Sequence, residues 1–179
     1  LLAFRLVGPK GKVYAFEPLS INIKKIRLNI LLNRMQDRIF CIPKAVTDKS
    51  GRALCQNFGR DDWGRFMNID SFEENNLNET GSLFETISLD EFVFKEAHPG
   101  PNLIKIDVEG GEAKVLVGAR RLLKEFKPIV ICELHIPEIA MQVYETLINF
   151  GYKFEDLKGV KTESIINHSH VIARPIKIT

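Results

Sequence analysis

Short apolar runs alternate along the chain with segments in which apolar residues recur at helical spacing. The apolar runs predict strands at Lys12–Phe16, Ile39–Ile42, Leu103–Asp107, Pro128–Glu133, Tyr152–Leu157 and Val171–Ala173. Helical spacing predicts helices from a Ser20 cap to about Asn33, from Gly110 to about Phe126, and from Pro137 to Phe150. Because strands and helices alternate, the pattern predicts an α/β fold: a doubly wound, mostly parallel sheet with helices on both faces and an antiparallel last strand.

Residues 52–85 interrupt this alternation. Gly, Asn, Asp and Glu are frequent there, and the strand signal is confined to about Ala53–Phe58. We predict a hairpin and a long irregular loop, inserted in a single domain that spans residues 1–179; long loops inside compact domains often carry function. Trp63 and Phe66 lie in this insert. Their rings are candidates either to stack on a sugar or to pack the insert onto the sheet.

Composition excludes several classes of protein. The 179 residues suit one domain, and a formal net charge of +2 lacks the clustered basic face of a nucleic-acid-binding protein. No apolar run approaches the roughly 20 residues that cross a bilayer. The three cysteines are odd in number and have no CxxC spacing. Free thiols in a reducing compartment are the simplest interpretation, so we expect a cytoplasmic protein.

Carboxylates follow several of the predicted strands. Glu17 follows the first, Asp107 and Glu109 follow a later one, and Glu133 ends the next. Parallel strands present their carboxyl ends at one edge of a sheet, where ligands of such folds bind. Glu17 has two acceptor oxygens, which match the vicinal hydroxyls of a ribose. This match suits S-adenosylmethionine and a dinucleotide equally, and a surface glutamate in a loop is the alternative.

The segment around Asp107 is the richest in candidate chemistry. Asp107 and Glu109 are two residues apart, so in a continuing strand they would share a face, and the pKa of one would rise. Such a pair suits a general base or a divalent cation, although we assign no metal site. Glu112 follows two glycines and fits the first turn of a helix, where the dipole favours negative charge. His135 titrates near neutrality and is a third candidate base.

Four segments together resemble the FkbM family of methyltransferases, which belong to the class I, Rossmann-like enzymes that use S-adenosylmethionine. The segments are Val13–Pro18, Ala45–Asp48, Ile87–Phe92 and Ile104–Glu112. The last of these contains the most specific stretch, KIDVEGGE. The resemblance extends to about residue 157, and it implies that the family's first strand and glycine-rich loop would precede Leu1. We therefore expect an N-terminally truncated domain.

The resemblance also implies roles for particular residues. Glu17 would bind the cofactor ribose, and Val46, Thr47 and Asp48 would lie beside the adenine. Asp107 would face the methionine moiety and the reacting centre. The expected reaction is methylation of a hydroxyl group on a sugar or secondary metabolite, so we expect a small-molecule or carbohydrate substrate and neither nucleic acid nor membrane as partner.

Two other interpretations stay open at this stage. An NAD-dependent oxidoreductase would use Glu17 equally well, but the residues after the Asp107 strand offer no Tyr-Lys or His proton relay. A non-catalytic binding domain with a Rossmann-like fold is the second, since a fold alone does not establish activity. If the chain is a methyltransferase, Asp107, Glu109 and His135 are the residues we expect to carry the catalytic chemistry.

Overall fold

A computed structural model describes residues 2–56, 81–162, 165 and 170–176. The helices are α1 (Leu2–Leu6), α2 (Ser20–Leu32), a π-helix (Glu91–Lys95), α3 (Glu112–Val117), α4 (Arg120–Phe126) and α5 (Pro137–Asn149). The strands are β1 (Val13–Phe16), β2 (Ile39–Ile42), β3 (Ala45–Val46), β4 (Gly51–Gln56), β5 (Gly81–Ile87), β6 (Leu103–Ile106), β7 (Ile129–Glu133), β8 (Tyr152–Glu155), β9 (Lys161–Thr162) and β10 (His170–Pro175). The predicted loop with Trp63 and Phe66 lies outside the described residues.

The described strands form three groups with a mixed arrangement. Strands β1 and β2 pair with each other, β3, β5 and β4 form a second group, and the third has the order β6-β7-β10-β8-β9. The pairs β1–β2, β3–β5 and β6–β7 are parallel, whereas β4–β5, β7–β10, β10–β8 and β8–β9 are antiparallel. The fold is therefore α/β, but the prediction of one mostly parallel sheet is wrong for this part of the chain.

Two local causes account for this difference. Strand β10 inserts between β7 and β8 and runs antiparallel to both, as predicted for the last strand. The flanks of the insert, β4 and β5, pair with each other as the predicted hairpin, and β5 also takes β3 as its parallel neighbour. The strands between residues 45 and 87 thus satisfy one another's backbone groups.

The core lies where α3, α4 and α5 pack on the third group of strands. The residues predicted to face inward from the Gly110–Phe126 segment are all buried: Val115, Leu116, Ala119, Leu122 and Leu123. The single predicted helix is nevertheless two helices, broken at Gly118–Ala119. Asp90 explains the break, because its carboxylate accepts the N–H groups of Arg121 and Leu122, 31 and 32 positions further along the chain, at 2.9 and 2.8 Å.

Gly118 lets this junction pack closely. A Cβ atom at that position would overlap the backbone carbonyl oxygen of Thr47. The glycine and the remote cap therefore fix α3 and α4 against the segment that follows β3.

The start of α2 also differs from the prediction. The helix begins at Ser20, but no side chain caps it from the residue before, Leu19. Instead, Glu17 Oε1 accepts the backbone N–H of Leu19 at 2.8 Å. A carboxylate near a helix N-terminus is favourable for the same reason that a cap is, since it faces unpaired N–H groups.

The structure also describes two of the cysteines and the apolar character of the helices. Cys41 and Cys132 are free thiols, and burial raises the pKa of the Cys132 thiol well above its ordinary value. None of the helices in the described ranges combines the length and apolar character needed to cross a membrane.

Candidate active site at the ends of β6 and β7

The parallel register of β6 and β7 brings polar side chains together at their carboxyl ends. Ile106 pairs with Cys132, so Asp107 and Glu133 follow at the same level. Five residues meet there, and we call them the acid–histidine cluster: Asp107, Glu109, Glu112, Glu133 and His135. The predicted convergence of carboxylates at one edge is confirmed for this pair of strands.

His135 is the centre of the cluster. Its Nε2 atom lies 3.3 Å from Glu109 Oε2, 3.7 Å from Glu133 Oε1 and 3.9 Å from Asp107 Oδ1. Its Nδ1 atom lies 2.6 Å from Glu112 Oε1, a short hydrogen-bond distance. The two ring nitrogens thus face different groups, and among the described residues the groups within these distances are carboxylates.

Glu112 is completely buried. Besides His135, its Oε1 atom accepts the backbone N–H of Gly110 at 3.0 Å, whereas Oε2 has no hydrogen-bond partner among the described residues. Sequence reasoning placed Glu112 only in the first turn of a helix and missed its contact with His135. Its position directly after two glycines, in the most specific segment of the sequence, was the available signal.

The loop between β6 and α3 has an unusual backbone. Strand β6 ends at Ile106, so the prediction that Asp107 and Glu109 share the face of a continuing strand is wrong. Glu109 has φ 52° and Gly110 φ 98°, both in the left-handed region. For a residue with a side chain this conformation costs roughly 1–2 kcal/mol, and such strain tends to occur at functional sites. The turn directs Glu109 toward His135 by a route different from the predicted one.

Basic groups flank the cluster on two sides. Lys105 Nζ lies 2.6 Å from Asp107 Oδ2, and His170 Nε2 lies 3.1 Å from Glu133 Oε2. Partial burial acts to raise the pKa of Asp107, but the hydrogen bond and charge of Lys105, with the charge of His135, lower it below its ordinary value. The predicted rise in the pKa of one member of the Asp107–Glu109 pair is therefore not found at Asp107, because the positive charge of Lys105 favours the ionised carboxylate.

The opposite shift applies to His135. Partial burial acts to lower the pKa of its imidazole, but the hydrogen bond to Glu112 and the charges of Glu109, Glu112 and Glu133 raise it above its ordinary value. Negative charge around an imidazole favours the protonated form. His135 is therefore a stronger base than an exposed histidine.

Three members of the cluster also have suitable atoms for a metal. One ligand atom each from Asp107, Glu133 and His135 lies within 4.8 Å of the others. Carboxylate oxygen and imidazole nitrogen are common ligands of divalent transition metals. Exposed acidic groups often lie this close together without an ion, and we assign no metal here.

Apart from Asp107, the residues predicted to bind the cofactor lie in other segments. Glu17 follows β1, and its two oxygens accept the Leu19 N–H at 2.8 Å and the Asn22 amide at 3.4 Å. Thr47 follows β3, donates its N–H to Ile87 and bonds Asp48 Oδ1 at 2.9 Å. Val46 pairs with Ile87 in β5. The hydrogen bonds of Glu17, Thr47 and Val46 thus lie away from the acid–histidine cluster, whereas Asp107 and Glu109 both face the imidazole of His135.

Comparisons with known proteins agree with the sequence resemblance. The family model described as the Methyltransferase FkbM domain matches residues 1–154. Among solved structures, the chain is similar to Methyltransferase FkbM from Methylobacillus flagellatus KT, with a TM-score of 0.61 and 16% sequence identity. That likeness concerns the fold; it covers 91% of this chain and 36% of the other, so this chain spans about a third of that protein.

The search of curated proteins gives no match. The family match is nevertheless extensive, since residues 1–154 include the acid–histidine cluster and the segments of Glu17 and Val46–Asp48. The chain therefore belongs to the FkbM methyltransferase family.

Proposed function

We propose that this domain uses S-adenosylmethionine to methylate a hydroxyl group on a sugar or secondary metabolite. One observation carries the proposal: the Nε2 atom of His135 lies among Asp107, Glu109 and Glu133 at the carboxyl ends of two parallel strands. That edge is where α/β folds bind ligands, and a basic nitrogen there suits removal of a hydroxyl proton.

The side chains present are compatible with the cofactor. Glu17 accepts one hydrogen bond at each oxygen, and an ionised carboxylate has about four acceptor sites. Two acceptor sites are therefore left for the two hydroxyls of a ribose. We assign Val46, Thr47 and Asp48 to the adenine and Asp107 to the methionine end, following the family resemblance. When bound, the cofactor supplies a methyl group activated by a positively charged sulfur.

The chain contributes orientation and proton transfer. Because the methyl group is already activated, holding the acceptor in place accounts for much of the expected rate enhancement. The acceptor hydroxyl must lose its proton, and His135, whose pKa the surrounding carboxylates raise above its ordinary value, is placed to receive it at Nε2. Lys105 keeps Asp107 ionised, so Asp107 is suited to orient polar groups and less suited to take up a proton.

Ligand binding distinguishes this function from its rivals. Calorimetric titration of the full-length protein with S-adenosylhomocysteine and with NAD should give binding of the first alone. Transfer of a labelled methyl group from S-adenosylmethionine should then be measured against a panel of sugars and hydroxylated secondary metabolites. Binding of NAD instead would favour an oxidoreductase, and binding of neither ligand would favour a non-catalytic domain.

A further inference from the structure

Glu112 is a carboxylate in the first turn of α3, where the helix dipole accounts for its charge but not for its complete burial. It is fully buried, and one of its oxygens has no partner among the described residues. Burying a carboxylate costs several kcal/mol unless a partner compensates for it, and an apolar residue of similar volume is often at least as stabilising. Local rules of this kind are broken most often at functional sites.

The contact with His135 supplies a reason. An ionised carboxylate can only accept a hydrogen bond, so an ionised Glu112 requires the proton of the 2.6 Å contact to be on His135 Nδ1. In a neutral imidazole that carries its proton on Nδ1, Nε2 has the free lone pair. We propose that Glu112 is a positioning residue that fixes this tautomer of His135, so that Nε2 is the atom that takes the acceptor's proton. This inference rests on the proposed function.

The burial of the surrounding groups gives the two nitrogens different access. On the Nδ1 side, Glu112 is 0% exposed, so a substrate cannot approach there. On the Nε2 side, the side chains of Asp107, Glu109 and Glu133 are 40%, 32% and 28% exposed. The nitrogen that Glu112 leaves free is thus the one on the open side of the ring.

Glu112 has a second hydrogen bond at the same oxygen that contacts His135. It is the first residue of α3, and its Oε1 atom also accepts the N–H of Gly110. Gly110 has φ 98°, a conformation that a residue with a side chain would rarely adopt. A Cβ atom there would also lie 3.2 Å from Cδ1 of Ile136, the residue that precedes α5. Gly110 therefore allows the loop to place its own N–H and the imidazole on one carboxylate oxygen.

The charged groups around His135 fall into two sets, according to which ring nitrogen they face. Asp107 and Glu109 from the loop after β6, and Glu133 from β7, face Nε2. Two basic side chains contact this set: Lys105 pairs with Asp107, and His170 pairs with Glu133. Glu112 from α3 faces Nδ1. All of these charges influence how readily the ring binds a second proton, but the tautomer of the neutral ring is assigned to Glu112.

Nuclear magnetic resonance of the ring nitrogens tests this assignment directly. In ¹⁵N-labelled full-length protein, above the pH at which His135 titrates, we expect the proton on Nδ1. Glu112→Gln should populate the Nε2-protonated form, because the amide can donate to Nδ1, and should also lower the pKa of His135. Glu109→Gln is the matched control: it should lower the pKa, since it removes a charge 3.3 Å from Nε2, but leave the proton on Nδ1.

Kinetics supply a second readout. In Glu112→Gln we expect kcat for methyl transfer to fall on the order of 10- to 100-fold with little change in KM. The increase of kcat with pH should also shift to lower pH, because the pKa of His135 is lowered in this variant. Wild-type protein with the proton on Nε2, or Glu112→Gln with the tautomer unchanged, would overturn the inference. If that variant fails to fold, the wild-type spectrum decides alone. A Nδ1 proton in a protein without methyl transfer would contradict the proposed function and leave the tautomer assignment standing.

Discussion

Two kinds of carboxylate follow strands in this molecule, and they differ in what they bond. Glu17 and Asp90 accept backbone N–H groups at the starts of α2 and α4. Glu109 and Glu133 face the imidazole of His135. The first kind satisfies groups that a helix end leaves unpaired, so folding alone explains it. The second leaves charge concentrated around a titratable ring, and folding alone does not explain it. A position at a strand end therefore indicates a candidate site residue, and the group that the carboxylate contacts shows whether it caps a helix or belongs to the site.

Replacing His135 should produce the largest effect on activity. We expect His135→Asn to reduce kcat for methyl transfer by roughly 10²–10⁴-fold, because a positioned general base contributes about that factor. Binding of S-adenosylhomocysteine should change little. Glu138→Gln is a suitable control, since it removes an exposed charge from the first turn of α5. Undiminished kcat in His135→Asn would place the cluster outside the chemistry.

Removing the cap of α4 should mainly affect stability. Asp90→Ala leaves the N–H groups of Arg121 and Leu122 without their acceptor, and we expect a loss of about 1–2 kcal/mol in the free energy of unfolding. Urea denaturation measures this loss, with Asp37→Ala as a control because Asp37 is 73% exposed. A fall in kcat without a fall in stability would move Asp90 from the first kind of carboxylate to the second.

The sequence predicted most elements but not the contacts that link them. Apolar runs located β1, β2, β6 and β7, and the parallel β6–β7 pair brought Asp107 beside Glu133 as expected. The break between α3 and α4 was missed because Asp90, which caps α4, lies 31 and 32 positions before the two N–H groups that it accepts, and helical periodicity is a local signal.

The contact that organises the site was missed for a related reason. Glu112 and His135 are 23 positions apart, and they meet only because the loop at Glu109 and Gly110 turns through left-handed conformations. Single-sequence patterns indicate that glycine permits such a turn, but not where the turn directs the next side chain. The tertiary fold decides that.

Glu17 tests whether a carboxylate can belong to both kinds. Glu17→Gln keeps an acceptor for the Leu19 N–H but removes the charge, and we expect the KM for S-adenosylmethionine to rise about tenfold, equivalent to ~1.4 kcal/mol, with kcat little changed. Asn22→Ala is the control, because it removes the 3.4 Å contact to Glu17 Oε2 and leaves the carboxylate intact. An unchanged KM with a lower melting temperature would make Glu17 a helix-capping residue alone.

Stability should depend on pH in a way that reflects the cluster. The pKa of folded His135 is raised, so its contribution to stability is fully present below about pH 6.5 and is lost as the pH rises through the folded-state value. The pKa of Asp107 is lowered, so its contribution is present above about pH 3.8 and is lost as the pH falls through its folded-state value. Urea midpoints measured from pH 3 to 9 should fall at both ends. His135→Asn should remove the alkaline fall, and a midpoint that rises from pH 6.5 to 9 would contradict the assignment.

Chelation should have the smallest effect on the rate of methyl transfer. It tests whether His135 acts as a base or as a metal ligand. Asp107, Glu133 and His135 are close enough to hold an ion, but an ion on Nε2 would occupy the lone pair that the proposed base needs. We therefore expect dialysis against EDTA to leave the methyl-transfer rate unchanged, and added Mg²⁺ or Mn²⁺ not to raise it. The measurement requires the same protein assayed before and after dialysis, with Glu133→Gln as a second sample. The contrary result would be a rate that is lost on chelation and restored by one cation, but not restored by that cation in Glu133→Gln. It would mean that the cluster activates the hydroxyl through a metal and that His135 is a ligand.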